Sequence, residues 1–173
     1  MTERKDETHR GGVTGAQTHS ALPRDRAPSS LAFLLSQVGI HASRRFAERL
    51  AAIDLQPPLF RVLNVVDAAE GRSQHAIAEA IKAPPSRMVA IVDELEQRGL
   101  IERRPNPEDR RVHALHLTAK GRKLLERGRE IAAAHEAELT SGMSKADRDR
   151  LVSLLQAIVE QEIGAGVHPG LST

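Results

Sequence analysis

The side chains with the most distinctive chemistry in this chain are arginines. Arg103 and Arg104 precede the segment Pro105-Asn106-Pro107-Glu108-Asp109, and Arg110 and Arg111 follow it. A guanidinium stays charged and presents a rigid fork of donors, which matches phosphate oxygens and the paired acceptors of guanine. A charge run is ordinarily a solvated face, but arginines crowded at the tip of a two-stranded hairpin also suit a narrow minor groove. Asp109 stands two residues before Arg111, so on an extended strand both side chains point to one side. A carboxylate there would orient the guanidinium and lower its ordering cost. A second such place is Pro85-Ser86-Arg87, at the start of a predicted helix. Arg87 suits paired hydrogen bonds to guanine, and Ser86 suits a base or a phosphate.

Other chemistries find less to work with. The chain has no cysteine, which excludes disulfides, thiolate zinc sites and a thiol redox switch. It has eight histidines, but none shows zinc spacing with an intervening Glu. His113 and His116 are three apart on a predicted strand, which sends them to opposite faces. A metal-sensing regulator using His41, His75, His135 and a carboxylate stands as one alternative; the main expectation is no metal and no cofactor. There is no Gly-rich phosphate loop, no Gly-x-Ser-x-Gly turn and no paired-carboxylate motif, since Glu94, Glu96 and Glu102 follow helix-surface or strand-edge positions. The expectation is therefore a protein that is not an enzyme.

The three Phe and the absence of Trp and Tyr leave no aromatic platform for stacking single-stranded bases; the expected nucleic-acid partner, double-stranded DNA, follows from the helices and hairpin described below. A formal net charge of only +2 means that local placement of charge, rather than its total, must carry binding. It also counts against the other alternative, a sequence-nonspecific chromosome-associated protein. No apolar run approaches a membrane span, and MTERKDETHRGG lacks the apolar core of a signal peptide, so a cytoplasmic location, with no membrane partner, is expected.

The elements that must position these arginines follow from periodicity. Residues 1–28 are rich in Gly, Thr, Ser, Pro, Arg and His without an apolar period and read as a solvated extension, disordered for want of apolar surface to bury. From Ser29 or Ser30, Leu31, Leu34, Leu35, Val38, Ala42 and Phe46 recur at helical spacing to about Ile53. Pro57 and Pro58 suit the first turn of a second helix, apolar nearly all round and hence buried, with Gly71 at its end. Ser73 caps a short third helix with Ile77, Ala78 and Ile81 inward. After Lys82-Ala83, a fourth begins at Pro84 or Pro85, carries Met88, Ile91, Val92 and Leu95 as one stripe, and stops at Gly99. The period then changes: Leu100–Arg104 and Val112–Leu117 read as two strands joined by the Pro-rich turn. Thr118 caps a long fifth helix with Leu124, Leu125, Ile131, Ala132 and Leu139. Ser144, with Asp147 three residues on, opens a sixth helix that closes near Gly164.

Two short helices joined by a tight turn form a helix-turn-helix whose second member can enter the major groove, and the hairpin adds a wing. The fold class is thus mainly α, a winged helix-turn-helix of four helices, a β-hairpin and two further helices. Residues 57–117 would form the DNA-binding lobe, 29–56 and 118–164 an all-helical dimerisation region, and 165–173 a flexible tail. Phosphate contacts from the wing (Arg104 among them) and from Ser73, Gln74 and His75 would hold register, while Pro85, Ser86 and Arg87 address the groove.

Three stretches then carry a family resemblance: Asp93-Glu94-Leu95-Glu96-Gln97-Arg98-Gly99-Leu100-Ile101-Glu102-Arg103, Asp109-Arg110-Arg111, and Leu115-His116-Leu117-Thr118-Ala119-Lys120-Gly121. In order and spacing they resemble the multiple antibiotic resistance regulator (MarR) family over about residues 30–163. The resemblance implies a homodimer in which helices one, five and six of two subunits intertwine. It implies reading helices addressing half-sites of a pseudo-palindrome, with repression the commoner direction of control. It places Arg111 as a minor-groove insertion, Arg110 as a phosphate contact, and Ser86, Arg87 and Ala90 at base-reading positions. Ala90 stands where a polar residue is usual, and Pro84-Pro85 departs from the family pattern.

The resemblance further implies that a small anionic or phenolic ligand binds between the dimer region and the reading lobe and loosens DNA binding. Gln37, His41 and Arg45 form one polar stripe on helix one, which borders that pocket in the family; His41 and Arg45 would receive the ligand, with Phe60 on its apolar wall. The plainer reading is a solvated stripe beside which Arg44 and Glu48 pair across a turn.

Overall fold

The computed structural model describes residues 30–105 and 113–163. The extension, the wing tip with Asp109, Arg110 and Arg111, and the C-terminal tail lie outside the described residues. Six helices and one hairpin follow the expected order: α1 (Leu31–Ala51), α2 (Pro57–Ala68), α3 (Gln74–Ala80), α4 (Pro85–Gln97), β1 (Ile101–Pro105), β2 (His113–Leu117), α5 (Ala119–Leu139) and α6 (Lys145–Ile163).

Local chemistry sets most of the boundaries. Ser30, Ser73 and Thr118 each stand in extended backbone and accept a hydrogen bond from the N–H three residues on, at 3.3, 3.2 and 3.0 Å. Ser144 does the same for Asp147 at 3.2 Å. Pro57 and Pro85 occupy first-turn positions where a missing N–H costs nothing. Gly99, with φ of 66°, ends α4 in a Schellman turn in which Leu100 donates to the Leu95 carbonyl and Gly99 to that of Glu96. That turn takes Leu100 out of the hairpin, so β1 begins at Ile101 rather than at Leu100. Gly71 does not itself end α2. The helix stops at Ala68, and Gly71 (φ 87°) turns the chain toward α3 and donates to the Leu115 carbonyl at 3.0 Å.

The two strands pair antiparallel, with Ile101 opposite Leu117, Arg103 opposite Leu115 and Pro105 opposite His113. Ala114 also bridges to Ser73, so the segment before α3 adds a short third edge. This explains why neighbouring Ala114 and Leu115 are both buried, against simple strand alternation.

The core lies between α2, α4, the hairpin and the first half of α5. Leu59, Leu63, Met88, Leu95, Leu115 and Leu125 are each no more than 2% exposed. Two glycines let α5 approach it. A Cβ at Gly121 would lie 1.9 Å from the Leu100 carbonyl oxygen, and one at Gly128 would lie 2.7 Å from the Phe60 ring. Phe46 closes that side edge-on against Phe60, with ring centroids 5.7 Å apart.

The expected apolar stripes of α1, α5 and α6 divide differently. Phe46 and Ala42 are half-buried, whereas Leu31, Leu34 and Val38 at the start of α1 are exposed, as is Leu139 at the end of α5. None of the described side chains of α6 is buried. No helix among the described residues is long and apolar enough to cross a membrane.

Candidate nucleic-acid interface

Helix α4 is amphipathic in the sense the reading helix requires. Met88, Val92 and Leu95 point into the core, which turns Pro85, Ser86, Arg87, Val89 and Ala90 outward. Its N-terminus carries no side-chain cap, so the Ser86 and Arg87 N–H groups lie in the helix turn whose donors have no intrahelical partner. Together with the positive end of the helix dipole, these donors suit an anionic group such as phosphate. Val89, 45% exposed, was missed in sequence reasoning. Its signal was the gap between Met88 and Val92, and its methyls suit contact with a thymine methyl.

The turn before α4 is held from outside. Lys82 adopts φ of 51°, and Arg61 of α2 donates to the Ile81 carbonyl at 3.2 Å. Arg61, Arg87, Lys82 and Pro57 line a cleft of about 310 Å³ beside the reading helix.

Ser73 caps α3, and its hydroxyl already accepts from the Ala76 N–H. Gln74 is half-buried, while His75 is exposed and 3.5 Å from Glu79. Arg104 is exposed and pairs with Glu102 on its own strand at 2.5 Å. Arg103, read from sequence as one of the wing's DNA-facing arginines, instead turns inward. It donates to Asp93 at 2.5 Å and to Glu96, both on α4, and reaches Gln74 on α3 at 3.4 Å. The hydrogen bond to Asp93 first, and then the field of Glu96, hold its guanidinium above the ordinary arginine range.

A charged network ties α5 to the lobe. Arg129 donates to Asp67 at 2.7 Å and to the buried Asn64 at 3.1 Å, and Arg122 donates to Glu70 at 2.8 Å. The Arg122 guanidinium, with His116 contributing, holds Glu70 below its ordinary value of 4.5.

The proposed ligand residues are brought together only in part. His41 and Arg45 of α1 line a cleft of about 190 Å³ with His135, Glu138 and Leu139 of α5. Glu138 is shared by Arg45 at 3.8 Å and by Arg49. Gln37 is exposed and does not line this cleft. Phe60 lies in the core, reaching the cleft only through Phe46, which stacks on His135 with centroids 5.6 Å apart. The plain pairing of Arg44 with Glu48 is also present, at 3.7 Å. His75 sits on α3, apart from His41 and His135, and among the described residues no three His, Asp or Glu side chains are grouped to hold a metal ion.

Known proteins share this fold. A profile described as MarR family matches residues 53–112. The "putative transcriptional regulatory protein for hcr operon" of Thauera aromatica is 31% identical over 155 residues, covering 89% of this chain and 93% of that one. A structure of the transcriptional repressor CouR bound to a 23-mer DNA duplex is 36% identical, covers 81% of this chain and 99% of its own, and superimposes with a TM-score of 0.72. CouR from Rhodococcus jostii RHA1 bound to p-coumaroyl-CoA is 30% identical, with coverages of 75% and 92% and a TM-score of 0.65. These relatives are transcriptional regulators rather than enzymes. The winged helix-turn-helix, its outward reading helix and these likenesses converge: the chain belongs to the MarR family of DNA-binding transcriptional regulators.

Proposed function

We propose that this protein is a ligand-responsive repressor that binds a pseudo-palindromic operator as a homodimer. The observation that carries the reading is the outer face of α4, where Ser86, Arg87, Val89 and Ala90 are all exposed around an uncapped helix start. Arg87 reads guanine, and Ser86 bonds to a base or a phosphate. Gln74 and His75 on α3, with Arg104, Arg110 and Arg111 of the wing, hold the phosphates and set register. Dimerisation is supported by the exposed apolar side chains of α1 and α6, Leu31, Leu34, Val38 and Leu154 among them. The lobe would then comprise residues 57–117 and the dimer region 29–56 with 118–164.

The ligand we propose is an anionic aryl compound, with aryl-coenzyme A thioesters as the first class to try. Two observations support this: CouR is seen with p-coumaroyl-CoA, and Arg45 and His41 line a polar cleft bordered by the Phe46–His135 stack. A ligand anion that displaces Glu138 from Arg45 would shift α1 against α5 and so favour a dimer shape with its reading helices misplaced.

The test is selection from a randomised duplex pool at near-physiological salt. Enrichment of a pseudo-palindrome with half-sites about ten base pairs apart is the expected result. Tight binding without enrichment would replace this reading with a chromosome-associated one. The enriched duplex then serves as a probe for release by p-coumaroyl-CoA.

A further inference from the structure

The reading helix has an electrostatic problem that its own residues do not solve. Between Pro85 and Gln97 it carries one arginine, Arg87, against three carboxylates, Asp93, Glu94 and Glu96. A helix of that charge approaches phosphates unfavourably. Glu94 is paired with Arg98 at the helix end, at 3.6 Å, and Arg98 is itself anchored on Asp54 at 3.0 Å. The remaining two acids depend on one side chain from another element. Arg103, on β1, places its guanidinium between Asp93 and Glu96 and extends Nη2 to Gln74 Oε1. The group is about one quarter exposed, so these pairs are screened less than the fully solvated ones around them.

The same contacts are mechanical. Three elements address the duplex, α3, α4 and the wing, and Arg103 is bonded to the first two while standing on the third. With the Gln74 carbonyl oxygen occupied, the amide nitrogen of Gln74 is the end left to donate to a phosphate.

We infer that Arg103 is a positioning residue for DNA recognition, locking the wing strand to α3 and the reading helix and offsetting part of the Asp93–Glu96 charge beside the reading surface. It makes no base or phosphate contact of its own. The role rests on the DNA-binding reading of α4. It calls for arginine specifically, because a lysine ammonium is a point charge that cannot span two carboxylates and an amide in one plane.

The experiment compares Arg103→Ala, Arg103→Lys and Asp93→Asn/Glu96→Gln, alone and with Arg103→Ala, on two duplexes: the pool-enriched sequence and a scramble of the same composition. Arg103→Ala is expected to weaken the enriched duplex about tenfold or more and the scramble by less than about threefold, so that discrimination collapses. Arg103→Lys should recover only part of that loss. In the Asn/Gln background, removing Arg103 should cost much less than it does in the wild type, because its partners are already neutral. The proposal is overturned if Arg103→Ala weakens both duplexes equally and lowers the salt slope by about one, the mark of a direct phosphate contact. It is equally overturned if, in the Asn/Gln background, removing Arg103 costs as much as it does in the wild type, since its effect would then not run through Asp93 and Glu96. Should the wild type enrich no sequence, the operator reading fails, and amide exchange still decides the lock. Faster exchange over Ile101–Arg104 in Arg103→Ala, with α5 unchanged, supports it, and unchanged exchange refutes it.

Discussion

The lobe from α2 to β2 and the helices α1 and α6 are made of the same aliphatic residues, yet they treat them in opposite ways. In the lobe, Leu63, Met88, Val92 and Leu115 are completely buried against one another. Along α1 and α6, Leu31 is 62% exposed, Ile40 66% and Leu154 56%. Each fully buried Leu or Val contributes roughly 1.5–3 kcal/mol, so the lobe, with Leu50 at the end of α1, is stabilised within one chain, whereas the first half of α1 and the described part of α6 bury no side chain in it. The difference teaches that composition does not distinguish a core from an interface. In the dimer proposed above, what distinguishes them is whether the facing apolar surface belongs to the same chain.

The most forceful way to break this comparison is to charge the exposed side. Leu34→Glu with Leu154→Glu touches no buried residue, so the helical circular dichroism and the folding of the lobe should survive. Sedimentation should show a monomer, and operator affinity should fall by about 100-fold or more, because two linked half-site contacts become one. Loss of the lobe's own fold in this variant would show that α1 and α6 are needed within the chain, and the contrast would disappear.

The reverse perturbation charges nothing and strikes inside. Gly121→Ala adds a Cβ that would lie 1.9 Å from the Leu100 carbonyl oxygen, a backbone atom, with no flexible side chain to give way. A destabilisation of about 1–3 kcal/mol or somewhat more is expected, read as a lower thermal midpoint. Oligomeric state at temperatures below the transition should not change. An unaltered midpoint would mean that α5 does not sit as closely on the lobe as Gly121 requires.

A third variant leaves both folding and assembly intact and tests only the outer face of α4. Arg87→Ala should cost about 1–3 kcal/mol on the enriched duplex and far less on a scramble. Equal losses on both would move Arg87 from base reading to phosphate contact.

Why some of this was legible in the sequence and some was not follows from range. Helix starts at Ser30, Ser73, Thr118 and Ser144 are events within four residues, and each capping oxygen is where its residue type predicts. The hydrophobic stripe of α4 was legible for the same reason, and with it the outward direction of Ser86 and Arg87. Boundaries that depend on a neighbour were missed. Leu100 is claimed by the end of α4, and Gly71 by a bond to Leu115 across the lobe. The fate of Arg103 was only half legible: strand alternation sets it on the face of Ile101 and Arg104 on that of Glu102, but supplies no partner for it. Only the return of β1 alongside α4 brings Asp93 and Glu96 to one guanidinium and leaves the other paired with Glu102. Phe60 was placed on a ligand wall by analogy; Gly128 draws α5 over it and puts it in the core instead.

The smallest expected effect concerns the seam where α5 meets the lobe. Glu70 lies against Arg122 of α5 at 2.8 Å and His116 of β2 at 3.4 Å, with Asp67 also near Arg122 at 3.7 Å. Arg122 chiefly holds its carboxyl below 4.5 in the folded protein, whereas in the unfolded chain it returns to that value. As pH falls, the unfolded chain takes up the proton first, so the contribution is whole above about 4.5 and is lost as pH falls through the lower folded value. Glu70→Gln should therefore flatten the acid limb of a stability–pH profile and leave DNA affinity near neutrality almost unchanged. Because the pair is well solvated, the change should be small and should shrink further in high salt. An acid limb identical to wild type would mean that the seam is held by Arg129, Asp67 and Asn64 without help from Glu70.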